Sequence, residues 1–126
     1  MGLEKIKNYF TPSSVLDIGA NVGQFYNEIK QILPNAYYYL IEGNERCEIV
    51  LQTLDVDYSI SLLSDKVKEV KFYTRINDER CTGNSIYREK TSFYSDDEII
   101  IKTETTTTLD ILIKGKQFDL IKLDVQ

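Results

Sequence analysis

The sequence predicts an α/β fold, a Rossmann-like parallel sheet with helices on its faces. Apolar runs typical of buried strands alternate with segments of helical spacing over the first half of the chain. The turn "GANVG" joins the first predicted strand to the first long helix. No repeat or linker divides the 126 residues. Because strand–helix–strand units build parallel sheets, these observations favour one α/β domain over residues 1–126.

The first half supplies three strands and the helices between them. In order, the predicted elements are a short amphipathic helix at 1–10, a strand at 15–18, a helix at 24–33, a strand at 37–41, a helix at 45–54 and a strand at 58–63. The strand at 15–18 is apolar apart from Asp17, which is typical of a strand buried on both faces. Pro34 ends the helix that follows it.

The second half departs from this simple alternation. The predicted elements are a half-exposed strand at 68–74, a polar loop at 77–85, a β-branched strand at 97–109, a short helix from Thr108 or Leu109 to Gly115 and a last strand at 118–125. The two strands on either side of the loop predict a β-hairpin-like insertion before the last strand of the sheet.

Charge and composition exclude several classes of partner. Fifteen basic and 20 acidic residues give a net charge of −5, which disfavours a nucleic-acid partner. The sequence has neither an 18-residue apolar stretch nor a signal peptide, so we expect a cytoplasmic protein without a membrane partner. It has no histidine and two cysteines without metal-ligand spacing. We therefore expect no metal site.

The stretch "VLDIGANVGQF" is the first candidate site. In open α/β sheets, ligands bind beyond the carboxyl ends of the strands, near such a turn. Gly19 and Gly23 allow the backbone to turn tightly, and Asn21 tolerates a left-handed conformation. The following helix directs its amide groups towards the same place. The alternative is a tight turn that binds no ligand.

The same stretch bears on the identity of the ligand. Asn21 stands where the dinucleotide fingerprint has the glycine that makes room for a pyrophosphate, which disfavours NAD or FAD. Asp17 adds a negative charge beside the turn. A carboxylate there suits a cation or an amino group better than a phosphate.

Further acidic residues follow the other predicted strands. Glu42 ends the second strand and lies 23 residues after Gly19 (42 − 19 = 23). An acid at this position can accept both hydroxyls of a ribose. Ser64 and Asp65 follow the third strand, and Asp65 can bind the amine of adenine. Glu42 is alternatively a solvated strand-end carboxylate, and Asp65 alternatively caps a short helix at Lys66.

Taken together, these motifs resemble the FkbM family of class I S-adenosylmethionine-dependent methyltransferases. The resemblance covers residues 14–126 and depends on the order and spacing of six segments, "VLDIGANVGQF", "YLIEGNERC", "SLLSDKVKEVKFYT", "CTGNSIYRE", "TTTTLDIL" and "FDLIKLDVQ". It implies that S-adenosyl-L-methionine is the cofactor and that a hydroxylated small molecule or sugar is the methyl acceptor.

The resemblance also implies a role for each matching position. The cofactor-binding positions, ordered from the methionine end to the adenine, are Asp17, Gly19, Ala20, Asn21, Gly23, Glu42, Asn44, Ser64 and Asp65. The first five would line the methionine end, the next two the ribose and the last two the adenine. Asp124 would lie near the transferred methyl group, as the candidate catalytic base.

The sequence departs from the family after Asp124. The family continues Asp-Val-Glu-Gly-Ala-Glu within a seven-stranded sheet of order 3-2-1-4-5-7-6, whereas this chain reads Asp-Val-Gln126. We therefore expect an incomplete class I methyltransferase fold, either a fragment of a longer product or a homo-oligomer formed through the exposed last strand. Two other functions stay open, a non-catalytic cofactor-binding or assembly module and an NAD-dependent oxidoreductase.

Overall fold

The computed structural model describes residues 3–75 and 99–124. Four parallel strands form the main sheet in the order β3-β2-β1-β7. They are β1 (Ser14–Ile18), β2 (Tyr37–Glu42), β3 (Asp57–Ile60) and β7 (Leu120–Leu123). This order confirms the predicted Rossmann-like sheet, in which the first strand is central and the last strand lies beside it.

Short helices connect the strands. After a 3₁₀ helix at Leu3–Asn8, the α-helices are α1 (Gln24–Ile32), α2 (Glu48–Leu51) and α3 (Leu109–Leu112). The continuous helix predicted at 45–54 is wrong, because Glu45–Cys47 forms a 3₁₀ turn before α2. The side chain of Asn44 accepts a hydrogen bond from the amide of Arg46 at 3.0 Å, and this cap accompanies the tighter first turn.

The two faces of the main sheet carry separate apolar clusters. On the α1 and α2 face, Val15 and Leu40 are fully buried against Ile29 and Leu51. On the other face, Leu16 and Ile41 pack with Leu109, Leu112 and Phe118 around α3. Alternating residues of β1 therefore point into different clusters, as expected for a strand covered on both sides.

A second sheet of three strands has the order β4-β6-β5. Its members are β4 (Leu62–Leu63), β5 (Glu69–Arg75) and β6 (Ile99–Thr107). The antiparallel pairing of β5 with β6 agrees with the predicted hairpin-like insertion. The predicted loop at 77–85 and the segment "CTGNSIYRE" lie outside the described residues.

The single third strand predicted at 58–63 is wrong. The chain leaves the main sheet after Ile60, and Leu62–Leu63 pairs with Thr106–Thr107 of β6 instead. The amide of Ser61 still donates to the carbonyl oxygen of Glu42 at 2.8 Å. The start of the second sheet is thus held at the carboxyl end of β2.

Within the described ranges, no helix is long and apolar enough to cross a bilayer.

Candidate functional site

The turn after β1 has three residues in the left-handed region. The φ angles are 82° at Gly19, 55° at Asn21 and 88° at Gly23. Glycine adopts this region without steric cost, and asparagine is among the few other residues that tolerate it. The alternating left-handed positions let the chain reverse within five residues and enter α1 directly. The predicted tight turn is confirmed.

The backbone amides of this turn are bonded inside the protein. The amides of Gly19 and Ala20 both donate to the carbonyl oxygen of Ile41, at 2.9 and 3.0 Å. The amide of Asn21 donates to Oε1 of Glu42 at 2.9 Å. A phosphate-binding turn needs amides of this kind to be free for the phosphate oxygens. These three amides are instead used to join the turn to β2.

Gly23 has a packing role as well as a conformational one. It is buried at the start of α1, and a Cβ atom built on it would lie far inside contact distance of Leu54 Cδ1. The same Cβ would be 3.8 Å from Leu51 Cδ2. Gly23 therefore permits α1 and the segment after α2 to approach closely, next to the turn.

Glu42 holds two loops at the end of β2. Its Oε1 accepts the amide of Asn21, and its Oε2 accepts the amide of Asn44 at 2.8 Å. Burial raises the pKa of the Glu42 carboxyl group, the hydrogen bonds from Asn44, Asn21 and Gly43 oppose that rise, and the nearby charge of Asp17 adds to it. The carboxylate has about four lone-pair sites and three backbone amides donate to it, so it retains capacity for about one further donor.

Asp17 is the most unusual polar group of the site. It lies on the α1 face of β1, and its side chain is 1% exposed. Neither of its carboxylate oxygens receives a hydrogen bond from any residue that the structure describes. Burial raises the pKa of the Asp17 carboxyl group, the neighbouring Lys122 lowers it and Asp124 raises it. A buried carboxylate without donors is costly, and such groups call for a specific explanation.

Lys122 is a site residue that the sequence reasoning missed. It is the register partner of Asp17 on β7, so the two side chains lie on the same face of the sheet. Its Nζ atom is 3.3 Å from Asp17 Oδ1, 3.4 Å from the carbonyl oxygen of Gly19 and 3.8 Å from Asp124 Oδ2. The signal available in the sequence was a lysine inside an otherwise apolar strand, "LIKL".

Asn44 lies beneath the same edge of the sheet. The residue is 2% exposed, and its Nδ2 atom has no hydrogen-bond partner among the described residues. Its Oδ1 atom accepts the amide of Arg46, which fixes the orientation of the side chain. A buried amide donor without an acceptor therefore accompanies the unsatisfied carboxylate of Asp17.

Ser64 and Asp65 lie outside the parallel sheet, beyond the two residues of β4. The Asp65 side chain is 79% exposed, accepts a hydrogen bond from Ser64 Oγ at 3.0 Å and lies 3.6 Å from Lys68 Nζ. These two partners lower the pKa of the Asp65 carboxyl group. No helix begins at Lys66, so the alternative that Asp65 caps one is wrong. Its contact with adenine stays a prediction.

Asp124 directly follows β7, and its amide donates to the carbonyl oxygen of Ile18 at 3.0 Å. Its side chain is 80% exposed. The end of β7 is therefore tied to β1, while the carboxylate extends towards solvent beside Lys122.

Gln126 lies outside the described residues. In the ranges 3–75 and 99–124, no three His, Cys, Asp or Glu side chains form a group that could hold a metal ion.

An open cavity of about 710 Å³ lies at the other end of the sheet. Its lining includes Tyr37 and Tyr38 at the start of β2, Asp57 at the start of β3 and Pro34 after α1. None of the candidate cofactor-binding or catalytic residues predicted from the sequence lines it. This cavity and the unsatisfied polar groups therefore lie at opposite ends of the same strands.

No protein-family model and no curated protein matches the chain. Two solved structures match. One is the plantazolicin methyltransferase BpumL in complex with SAH, at 28% identity over 45% of this chain and 22% of that chain, with a TM-score of 0.37. The other is BpumL with a triazolic desmethylPZN analog and SAH, at 27% identity over 47% of this chain and 23% of that chain, with a TM-score of 0.38.

The matched region spans less than a quarter of either solved protein. The fold class follows from the strand order, which defines a Rossmann-like α/β sheet with helices on its faces.

Proposed function

We propose that this chain forms the cofactor-binding part of an S-adenosylmethionine-dependent methyltransferase similar to the FkbM family. One observation carries the proposal. The buried carboxylate of Asp17, which no described residue satisfies with a hydrogen bond, lies beside Glu42 at the ligand-binding end of a Rossmann-like sheet. Such an arrangement fits a ligand that brings its own positive charge and donors.

The chemistry of the donor set fits this cofactor. Asp17 can accept from an ammonium group at the methionine end, beside the turn formed by Gly19, Ala20, Asn21 and Gly23. Glu42 keeps capacity for about one further donor, such as a ribose hydroxyl, and Asn44 Nδ2, which has no partner among the described residues, lies nearby. Ser64 and Asp65 are proposed to meet the adenine.

The same groups disfavour a nicotinamide dinucleotide. Asp17 and Asp124 place two carboxylates beside the ammonium group of Lys122, and Glu42 is a third carboxylate near Asp17. A pyrophosphate would be repelled by this excess of negative charge. The amides of Gly19, Ala20 and Asn21 would not compensate, because they are bonded to β2.

The proposed mechanism is methyl transfer to an oxygen. Bound S-adenosylmethionine supplies an electrophilic methyl group on a sulfonium centre. The contribution of the chain is to bind and orient, through Asp17 and Glu42, so that the acceptor attacks in line. Asp124 is proposed to orient the acceptor hydroxyl or to remove its proton at a carboxylate oxygen, directly or through water. The acceptor is proposed to be a hydroxylated small molecule or a sugar.

A second candidate function is a cofactor-binding or assembly module without catalysis. The exposure of Asp124 favours it, because a carboxylate that is 80% exposed and 3.8 Å from Lys122 is not held in one orientation for proton transfer. Incubation with radiolabelled S-adenosylmethionine and a panel of hydroxylated acceptors separates the two functions. Labelled product supports the enzyme, and cofactor binding without turnover supports the module.

Calorimetric titration with S-adenosylhomocysteine tests the proposal directly. Asp17→Ala and Glu42→Ala should each weaken binding by more than tenfold, roughly 1.4 kcal/mol or above, because each removes a carboxylate that faces the ligand. Glu28→Ala is the matched control, since Glu28 is an exposed carboxylate of α1. Its dissociation constant should equal that of the unaltered chain.

Two results would overturn this assignment. One is an unchanged dissociation constant for both variants. The other is tight binding of NAD with no binding of S-adenosylhomocysteine.

A further inference from the structure

We propose that Lys122 is a positioning residue whose ammonium group holds the buried Asp17 carboxylate in its anionic form. In that form Asp17 accepts a hydrogen bond from an ammonium group of the bound ligand. The identity of that ligand rests on the proposed function. The action of Lys122 on Asp17 depends on the protein alone.

The geometry places one cation among several acceptors. Lys122 Nζ is 3.3 Å from Asp17 Oδ1, 3.4 Å from the carbonyl oxygen of Gly19 and 3.8 Å from Asp124 Oδ2. Charge-assisted hydrogen bonds between nitrogen and oxygen are shorter, about 2.7–2.9 Å. Lys122 therefore forms an ion pair with Asp17 Oδ1 at a distance longer than that of a strong hydrogen bond. No described residue donates to Oδ2, which stays available to a ligand.

The surroundings of Asp17 contain no other described cation to take this role. From β2, Glu42 adds negative charge, and from the end of β7, Asp124 does the same. From α1, the ring of Phe25 lies 5.6 Å from Lys122 Nζ. The charged residues of α1 point elsewhere, since Glu28 is exposed and Lys30 lies over the ring of Tyr26.

Removal of the Lys122 charge should therefore leave the buried Asp17 carboxylate with negatively charged neighbours and no compensating cation among the described residues. Burial already raises the pKa of the Asp17 carboxyl group, and Lys122 is the group that lowers it. Without Lys122 the folded protein should keep a proton on Asp17 at higher pH. A protonated Asp17 accepts poorly from an ammonium group, so ligand binding should weaken at neutral pH and recover as the pH rises.

The first experiment follows the Asp17 carboxyl group by carbon-13 NMR in protein labelled at aspartate, without any ligand. The Asp17→Asn spectrum assigns the resonance. Lys122→Met and Lys122→Gln should each lower the proton dissociation constant of Asp17 by at least tenfold. Lys122→Arg should keep the original value, because it restores the charge. Lys114→Met is the control, since Lys114 is an exposed lysine outside the site.

The second experiment measures binding of two probes by calorimetry between pH 6 and 8. S-adenosylhomocysteine carries the amino-acid group, and 5′-methylthioadenosine lacks it. Lys122→Met should weaken S-adenosylhomocysteine binding by at least tenfold at pH 6, with recovery towards pH 8. Binding of 5′-methylthioadenosine should not change, and Asp17→Asn should bind S-adenosylhomocysteine weakly at every pH.

The outcomes are distinguishable. If Asp17 titrates identically in the original protein and in folded Lys122→Met or Lys122→Gln, the role of Lys122 is overturned whatever the ligand. If both probes weaken equally in Lys122→Met, without recovery at pH 8, Lys122 has a structural role and the inference fails. If the original protein binds neither probe, the proposed function fails, while the NMR titration still decides the role of Lys122.

Discussion

The two ends of the main sheet each carry an aspartate, and the two carboxylates differ in hydrogen bonding and in the direction of their pKa shift. At the amino end, the carboxylate of Asp119 accepts the amides of Ser13 and Ser14, each at 3.0 Å, and these hydrogen bonds lower its pKa. At the carboxyl end, Asp17 receives no hydrogen bond from the described residues, and burial raises its pKa. Asp119 thus stabilises the junction of β1 with β7, whereas Asp17 carries a cost that a bound ligand can offset.

The tyrosines at the amino end extend the contrast. The hydroxyl of buried Tyr38 donates to the carbonyl oxygen of Leu33 at 2.6 Å. The hydroxyl of Tyr37 donates to Asp57 at 2.8 Å, and its pKa is raised to about 12 by burial and by that carboxylate. The cavity of about 710 Å³ lies here, among groups that bond within the chain. Buried polar groups without hydrogen-bond partners among the described residues thus lie at the carboxyl end, away from this cavity.

The largest expected effect is a difference in the free energy of unfolding between substitutions of two glycines, Gly23 at the carboxyl end of the sheet and Gly115 at the amino end. Gly23→Ala should lower the free energy of unfolding by about 2–5 kcal/mol, because it combines a left-handed residue with a clash against Leu54. Gly115, before β7, also has positive φ, but nothing lies within 4 Å of its added Cβ. Gly115→Ala should therefore cost about 1–2 kcal/mol. Urea denaturation measures both, and equal losses would contradict the packing role of Gly23.

A smaller effect should differ in sign between the two aspartates. Asp119→Asn should lower the melting temperature, since an amide cannot accept on both sides from the two serine amides. Asp17→Asn should leave the melting temperature unchanged or raise it, because it removes a buried charge. Lys122 still has Asp124 as an ion-pair partner in this variant. Thermal denaturation at neutral pH measures both variants. A clear loss of stability in Asp17→Asn would mean that the Asp17 carboxylate at the carboxyl end stabilises the fold, as the Asp119 carboxylate does at the amino end.

The smallest effect is a change of stability with pH. Burial raises the folded-state pKa values of Asp17 and Glu42 above their ordinary values of 3.8 and 4.5. The folded state then binds more protons than the unfolded state in that range, so the free energy of unfolding should rise as the pH falls from neutral towards about 4. For Asp65 and Asp119 the pKa is lowered, and the stability they contribute should be lost as the pH falls below 3.8.

Urea denaturation from neutral to acid pH checks this profile. The double variant Asp17→Asn and Glu42→Gln should lose the gain above pH 4 and keep the loss below it. Asp119→Asn should instead reduce the acid loss. If the stability profile of the double variant matched that of the unaltered protein, the buried carboxylates of Asp17 and Glu42 would not destabilise the fold at neutral pH.

The sequence predicted the parts of this site that depend on neighbouring residues. The left-handed turn from Gly19 to Gly23 follows from local conformational preference, and the position of Glu42 follows from the end of an apolar strand. The parallel pairing of β1, β2 and β3 follows from the strand–helix alternation, and their order matches the one that the family resemblance implied.

The parts that were missed depend on distant pairing. Lys122 meets Asp17 through the register between β7 and β1, more than 100 residues apart along the chain. The break after Ile60 depends on the pairing of Leu62 with Thr106 of β6, which no local pattern of apolar residues specifies. The same break removes Ser64 and Asp65 from the edge of the main sheet.

The shared carbonyl oxygen of Ile41 has one more consequence. Because Gly19 and Ala20 both donate to it, and Asn21 donates to Glu42, the turn and the tip of β2 are joined at three consecutive residues. These two segments should move as one rigid piece, with little conformational freedom left to lose when a molecule settles against them. Preorganisation of this kind strengthens binding without adding a single contact.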